Sequence, residues 1–305
     1  MAKLRRKVRA YLQLVRLHNL VATAVSTLIG YLAVAVSLVN PSLNPAAPLS
    51  TVVLVAAGSY AINDYFDVEV DKVNKPYRPI PSGIVGRNEA LVLSIILIVA
   101  GVSLATFSGP TSLTFASLNT ILLILYSYRI KELGVPGNIV IGFGGAASII
   151  YGGLALAEYV GVLDRVTSTY IPALYAFLLL LSREIVKTIE DYVADAVRNV
   201  RSLPRIIGPI KSAFTAVALL ALVIVLSPLP YVLAGYGTIY LSLTAVTDCV
   251  IVYSMLKLIS REFRSKPEIV AGRVRAYLKL AVFIGSLAFL TDLLTRFFAT
   301  IHFST

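Results

Sequence analysis

Nine stretches of this 305-residue chain are each long enough and apolar enough to cross a bilayer as a helix, and that repetition constrains the fold more than any other feature. A hydrocarbon core about 30 Å thick takes about 20 mostly apolar residues in a helix. Lipid offers no partner to a backbone N–H or C=O, so only structures that satisfy their own backbone can span it. Cut at proline, glycine and charge, the spans begin near Leu17, Ala47, Ala90, Thr111, Pro136, Tyr170, Ile207, Tyr231 and Tyr277. Turn formers occupy the breaks at Asn40–Pro48, Gly109–Pro110 and Ser227–Pro230. No linker or low-complexity tract divides the chain, so residues 1–305 read as a single transmembrane domain: an all-α membrane protein with nine helices in one bundle.

The basic residues test this count independently, because Lys and Arg gather on the cytoplasmic side of short loops. With the N-terminus inside, 25 of the 27 Lys and Arg fall on the cytoplasmic face, and only Arg165 and Arg296 fall outside. A miscounted helix would scramble that asymmetry. The expectation is a cell-membrane protein with the N-terminus in and the C-terminus out. Met1–Arg16 is basic but lacks a small-residue cleavage site, so the first helix is expected to stay. Composition agrees, with 57% apolar residues, 14% charged residues and a mean hydropathy of +0.83; ordinary soluble domains carry about 25% charge. The net charge of +11 is read as topology and contact with anionic membrane lipid, not as a nucleic-acid site. One cysteine, Cys249, and two histidines, His18 and His302, do not make a disulfide framework, a zinc site of soft ligands or a haem pair.

Against this background two acidic clusters stand out. The second span runs inward and ends in Asn63-Asp64-x-x-Asp67-x-Glu69-x-Asp71, followed by Lys72, Lys75 and Arg78. The sixth also runs inward and ends in Arg183-Glu184-x-x-Lys187-x-x-Glu190-Asp191-x-x-x-Asp195. On a helix Asn63, Asp67 and Asp71 form one stripe, and Lys187, Asp191 and Asp195 another. Carboxylates stacked one turn apart repel, and at a helix C-terminus they also oppose the macrodipole, so a cation should compensate them. Solvated charges at helix ends are the plainer reading of any single acid. Two such stripes at the same membrane face instead suit Mg²⁺, which takes a few hard oxygen ligands and bridges to phosphate, with a diphosphate as third partner. The segment Asp67-x-x-x-Asp71-x-Val73 also echoes Asp191-x-x-x-Asp195-x-Val197, for which both duplication and chance are explanations.

These residues resemble the UbiA superfamily of intramembrane prenyltransferases. Asn63-Asp64-x-x-Asp67-x-x-x-Asp71 matches that family's first aspartate-rich motif, and Asp191-x-x-x-Asp195 looks like its second. Within the superfamily, Asn63–Asp67 through Asn74-Lys75-Pro76-Tyr77-Arg78-Pro79 to Gly83, with Arg183–Lys187, is similar to the archaeal digeranylgeranylglyceryl phosphate synthases. The resemblance implies nine helices around a central cavity and Mg²⁺-dependent transfer of a geranylgeranyl group from its diphosphate to geranylgeranylglyceryl phosphate. Aromatic acceptors such as 4-hydroxybenzoate remain open, because other members share the metal motifs. Many relatives carry Tyr-x-x-x-Lys after the fourth helix, whereas here Tyr126 and Lys131 are one residue further apart, with Arg129 between them.

On this resemblance Asp67, Asp71, Asp191 and Asp195 are the catalytic acids. With Asn63 and Asp64 they form the metal set, Asp64 and Glu190 lying off the two stripes. Lys131, Arg129, Lys187 and Arg78 are candidates for the diphosphate, each also readable as a topology-setting charge. Arg16 and Asn19 resemble an acceptor-binding Arg-x-x-Asn; His18 between them reads as an interface residue. Asp292 is expected to pair with Arg296 one turn on, and Asp248 has no local partner. A secondary transporter is the main rival from another class, but its coupling acids should sit at the midplane of broken helices, where only Asp248 lies.

Overall fold

The computed structural model describes residues 1–38, 44–197 and 200–302, and among these it is helical with no strand. In chain order the helices are α1 (Ala2–Leu14), α2 (Leu17–Ala35), α3 (Ala46–Phe66), α4 (Val68–Asn74), α5 (Arg87–Leu104), α6 (Pro110–Tyr128), α7 (Val135–Val160) and α8 (Tyr170–Glu190). There follow α9 (Tyr192–Val197), α10 (Leu203–Ile207), α11 (Pro209–Leu226), α12 (Leu229–Leu233), α13 (Thr238–Leu258), α14 (Arg261–Ser265) and α15 (Pro267–His302). Among the described residues nine segments are long and apolar enough to cross a membrane, built on α2, α3, α5, α6, α7, α8, α11, α13 and α15. The first seven begin within three residues of the expected starts. Residues 40–43 of the expected turn at Asn40–Pro48 lie outside the described residues.

The last two spans differ from expectation, for local reasons. The apolar run from Tyr231 is interrupted by Gly235 at φ 67 and by Gly237, so α12 is a single turn and the eighth span restarts at Thr238. The ninth helix starts ten residues before Tyr277, at Pro267, a favoured first helical residue. Its Arg273 and Arg275 extend it beyond the apolar stretch that hydropathy detects. A further helix, α1, had not been expected. It meets α2 at Arg16, whose left-handed backbone (φ 53, ψ 58) turns the chain.

The bundle is organised around α2 and α7, which run in the same direction as first and fifth spans. One four-membered ring, α2–α3–α6–α7, and another, α2–α7–α8–α15, share this pair; α5 packs outside α3, α11 outside α8 and α13 outside α15. Small residues let the shared pair approach closely. A Cβ on Gly30 would lie 1.7 Å from the Ile149 carbonyl oxygen, and one on Gly152 would lie 1.9 Å from that of Thr27. Without a hydrophobic driving force between helices in lipid, such backbone proximity supplies the packing.

At the end away from the acidic motifs, three acids tie loops down: half-buried Glu158 and Asp248, and buried Asp292. Glu158 accepts from the N–H groups of Thr111 (2.7 Å) and Ser112 (2.6 Å), capping α6. Asp248 has partners after all: the hydroxyls of Ser227 (2.6 Å) and Tyr175 (3.4 Å) donate to it. The expected Asp292–Arg296 pair is replaced. Asp292 accepts from the Gly237 N–H at 2.9 Å, while Arg296 donates to the Ala234 carbonyl at 3.2 Å and stacks 5.2 Å from the Tyr236 ring. The irregular backbone between α12 and α13 leaves polar groups that must be satisfied where water is scarce, and both side chains are drawn to it.

The α2–α7 contact makes a paired prediction. Gly152→Ala is expected to destabilise the protein by about 3 kcal/mol, because backbone cannot yield as a side-chain tip can. Gly144→Ala, whose Cβ meets nothing within 4 Å, should change stability by less than about 0.5 kcal/mol. Thermal melts of the two variants in detergent check this.

Candidate active site

Both acidic motifs are built on one local plan. α3 ends at Phe66, Asp67 forms a joint at φ −82, ψ 0, and α4 continues. α8 ends at Glu190, Asp191 forms a joint at φ −83, ψ 8, and α9 continues. Helical spacing survives each joint: Asp67 N–H donates to Asn63 C=O and Asp71 N–H to Asp67 C=O (3.0 and 2.8 Å). Likewise Asp191 N–H donates to Lys187 C=O and Asp195 N–H to Asp191 C=O (2.9 and 2.8 Å). The Asn63 amide donates to Asp67 Oδ2 at 2.9 Å, leaving the Asn63 carbonyl oxygen as an acceptor.

The first motif is clasped by cations from three other segments. Arg16, at the joint before α2, donates to Asp64 Oδ1 at 2.7 Å. Arg78 reaches both Asp64 Oδ1 (3.2 Å) and Asp71 Oδ2 (2.5 Å). Lys131 pairs with Asp67 Oδ1 at 2.5 Å. Asp64 and Asp71 are almost wholly buried, at 4% and 3% exposure, so these pairs are shielded from water. Burial pushes the Asp71 carboxyl above its ordinary range, and Arg78 pulls it back.

Local folding aims these cations. The Lys75–Val85 turn closes by Arg78 N–H to Lys75 C=O and Val85 N–H to Pro79 C=O (both 3.0 Å). Its Ile80 and Val85 then pack on Ala10, Leu14, Ala61, Val68 and Ala90, which directs Arg78 inward. Lys131 sits in a 3₁₀ turn that ends at Gly134. There φ is 76, and a Cβ would fall 1.9 Å from the Arg201 carbonyl oxygen, so the loop after the second motif abuts the loop that carries Lys131.

The second motif is more open. Asp191 and Asp195 are half-buried, and the Asp195 carbonyl accepts from Arg205 at 3.2 Å. Buried Glu184 is held by Arg183 (2.7 Å) and Lys187 (3.5 Å), and Glu190 pairs with Arg275 at 3.0 Å. Two side chains link the clusters. Lys75, whose ammonium pKa is lowered by burial and by neighbouring Arg78, lies in the fields of Asp71, Lys187 and Asp191. Tyr126 lies in the fields of Lys187, Glu184, Asp67 and Arg16.

Of the expected site residues, Asn63, Asp64, Asp67, Asp71, Arg78, Lys131 and Arg16 form one cluster, and Lys187, Asp191 and Asp195 follow one another at one-turn spacing on the second motif. Arg129 is not brought in: it is exposed, 5.8 Å from the Tyr128 ring. Asn19 is half-buried one turn after Arg16, and His18 is exposed. Sequence reasoning gave no role to Lys75, Tyr126, Arg183 or Glu184. Only the i, i+3 spacing of Glu184 and Lys187 hinted at a pair.

Among the described residues no three acids converge into a ready-made metal cluster. The donors are nonetheless hard oxygens, and the carboxylates of the first motif are already paired with Arg16, Arg78 and Lys131. That set fits Mg²⁺, which is commonly held by one or two carboxylates plus substrate phosphates instead of an all-protein cage.

The sequence profile described as the UbiA prenyltransferase family matches residues 23–290. The chain belongs to that family. It is similar to the digeranylgeranylglyceryl phosphate synthase of Ignicoccus hospitalis, with 39% identity over 95% of this chain and 93% of the relative. It is also similar to that of Hyperthermus butylicus, with 42% identity over 94% and 97%. A solved digeranylgeranylglyceryl phosphate synthase structure superposes with a TM-score of 0.74 at 33% identity, covering 95% of this chain and 99% of the other. A UbiA homologue from Archaeoglobus fulgidus, solved with GPP and Mg²⁺, shares the fold at a TM-score of 0.58 and 18% identity, covering 92% and 99%.

The UbiA site predicts unequal roles for its arginines. Arg78→Ala strands Asp71 and half of the Asp64 clasp, and is expected to cost about 3 kcal/mol. Arg129→Ala should cost less than about 0.5 kcal/mol. Denaturation in detergent with and without EDTA distinguishes them.

Proposed function

We propose that the chain transfers a geranylgeranyl group from geranylgeranyl diphosphate to the sn-2 hydroxyl of geranylgeranylglyceryl phosphate, with Mg²⁺ as cofactor, in archaeal ether-lipid synthesis. One observation carries this reading: two aspartate joints of the same local plan, with Lys75 in the field of both Asp71 and Asp191, stand in a chain 39–42% identical over nearly its whole length to enzymes of that name. The basic loops support a site that opens at the cytoplasmic face, with the C-terminus outside.

Asn63, Asp64, Asp67 and Asp71 from one joint, with Asp191 and Asp195 from the other, would hold Mg²⁺, which when bound neutralises the diphosphate leaving group. Lys131 and Arg78 now rest on carboxylates. With metal on those carboxylates, Lys131 and Arg78 would be available to the phosphate oxygens, together with Lys187 from the second motif. The C1–O bond of the donor breaks, and C1 bonds to the acceptor oxygen, whose proton leaves with the diphosphate. Arg16, beside Asp64 at the start of α2, is assigned to the phosphate of the acceptor, with Asn19 one turn on. The apolar bundle keeps water from the allylic cation, which an open site would quench.

Purified protein with radiolabelled geranylgeranyl diphosphate, Mg²⁺ and either geranylgeranylglyceryl phosphate or 4-hydroxybenzoate tests the reading. Product is expected with the first acceptor only, is lost in EDTA, and falls at least about 10³-fold in Asp67→Ala. Lys131→Ala should lower kcat/KM about 100-fold; Arg129→Ala should lower it less than about threefold. Reaction with the aromatic acceptor alone would reassign the substrate. With neither product nor metal-dependent diphosphate binding, the enzyme reading gives way to a transporter.

A further inference from the structure

The first helix takes no part in spanning the bundle, yet it carries a second, unused surface. Ala10 and Leu14 bury one side of α1 against α3, α4 and α5. At 3.6 residues per turn, Leu4, Val8 and Leu12 fall on an adjoining stripe, and they stay 69%, 50% and 46% exposed. Arg5, Arg9, Gln13 and Arg6 fill the arc on the far side of that stripe, all exposed, while Lys7 and Tyr11 lie between the stripe and the buried side. Apolar stripe, protein-facing side and arginine arc together are the pattern of a helix that lies in a membrane interface.

Its attachment to the bundle sets its level. Glu89, in the first turn of the membrane-spanning α5, binds Lys7 at 2.7 Å and also the Tyr11 hydroxyl; its other oxygen caps the Gly86 N–H at 3.2 Å. Past this fixed point α1 and α5 diverge around an open groove of about 360 Å³, lined by Tyr11, Leu12, Val15, Val92, Leu93 and Ile96. Ile96 is seven residues beyond Glu89, or about 10 Å along the helix. The groove therefore lies beside the first turns of a membrane-spanning helix. Glu89, the one acid on its rim, is already neutralised by Lys7.

We infer that α1 and α5 form a site for anionic bilayer lipid: the groove and the Leu4–Val8–Leu12 stripe take its apolar chains, and Arg5, Arg6 and Arg9 take its headgroup phosphate. The occupant is bulk lipid of the host leaflet, because the three arginines and the apolar stripe share one exposed helix and match a surface that is anionic above and apolar below. The site is independent of the proposed reaction.

The chain has no tryptophan, so a single introduced one is a clean reporter in the full-length protein. Val8→Trp, Leu12→Trp and Gln13→Trp are each reconstituted in bilayers of neutral brominated lipid mixed with increasing brominated anionic phospholipid. Val8→Trp and Leu12→Trp are expected to be blue-shifted and quenched at least about twofold more than Gln13→Trp. Quenching of Val8→Trp should rise with the anionic fraction, and Arg5→Gln/Arg6→Gln/Arg9→Gln should abolish the rise. Equal quenching at the three positions would show that α1 does not lie in the interface. A response indifferent to anionic lipid and to the arginines would remove the headgroup contact. Quenching that appears in neutral bilayers only on adding geranylgeranylglyceryl phosphate would make the groove an acceptor port and overturn the bulk-lipid site.

Discussion

The crossing of α2 and α7 is the constraint on which the site depends. Gly30 and Gly152 let two backbones meet with no side chain between them, so the axial register of these helices is held by contact of rigid atoms. Both run the same way, and each is preceded by a cation that reaches an acid at the end of α3. Arg16 before α2 binds Asp64, and Lys131 before α7 binds Asp67. A slip of one helix along the other would carry its cation away from its carboxylate. The same arrangement brings two helix N-termini, with their partial positive charge, to the end of the bundle where the acids stand.

Charge balance explains why so many acids are tolerated at a membrane-embedded helix end. Asp64 and Asp71 are almost fully buried, and a buried carboxylate without a partner carries a penalty of several kcal/mol. Arg78 offsets both at once, and the turn that carries it is folded onto its own small apolar cluster, so its backbone is anchored beside the acids. The second motif is less tightly clasped, and its aspartates remain half in solvent.

What could be read from the sequence was whatever repeats locally. Span length and one-turn spacing of acids depend on residues within a few positions of one another, and both survive in the structure even across the joints at Asp67 and Asp191. Contacts between distant segments left no such trace. Arg16 and Asp64 are 48 residues apart, and Lys131 and Asp67 are 64. The same limit explains Asp292: the cation one turn away was visible, whereas the orphaned N–H of Gly237, 55 residues earlier, was not. Hydropathy also misjudged the start of α15 and passed over α1, since an amphipathic or charged helix is as good a helix as an apolar one.

The short echo between the two aspartate segments acquires a backbone meaning. Asp67 and Asp191 have nearly the same torsions, each between a long helix and a short one, and each a turn before a second aspartate. The likeness extends outward. Arg16, α2, α3 and Asp67 form a sequence of cation, span, span and aspartate joint; Lys131, α7, α8 and Asp191 form it again. In both units the cation and the joint lie at the same end of the bundle, because two antiparallel spans return the chain to where it began. The two units then meet along α2 and α7, the helices that directly follow the cations, and this brings Lys131 of the second unit onto Asp67 of the first. A site with acids on two sides and cations between them follows from that repetition and that contact.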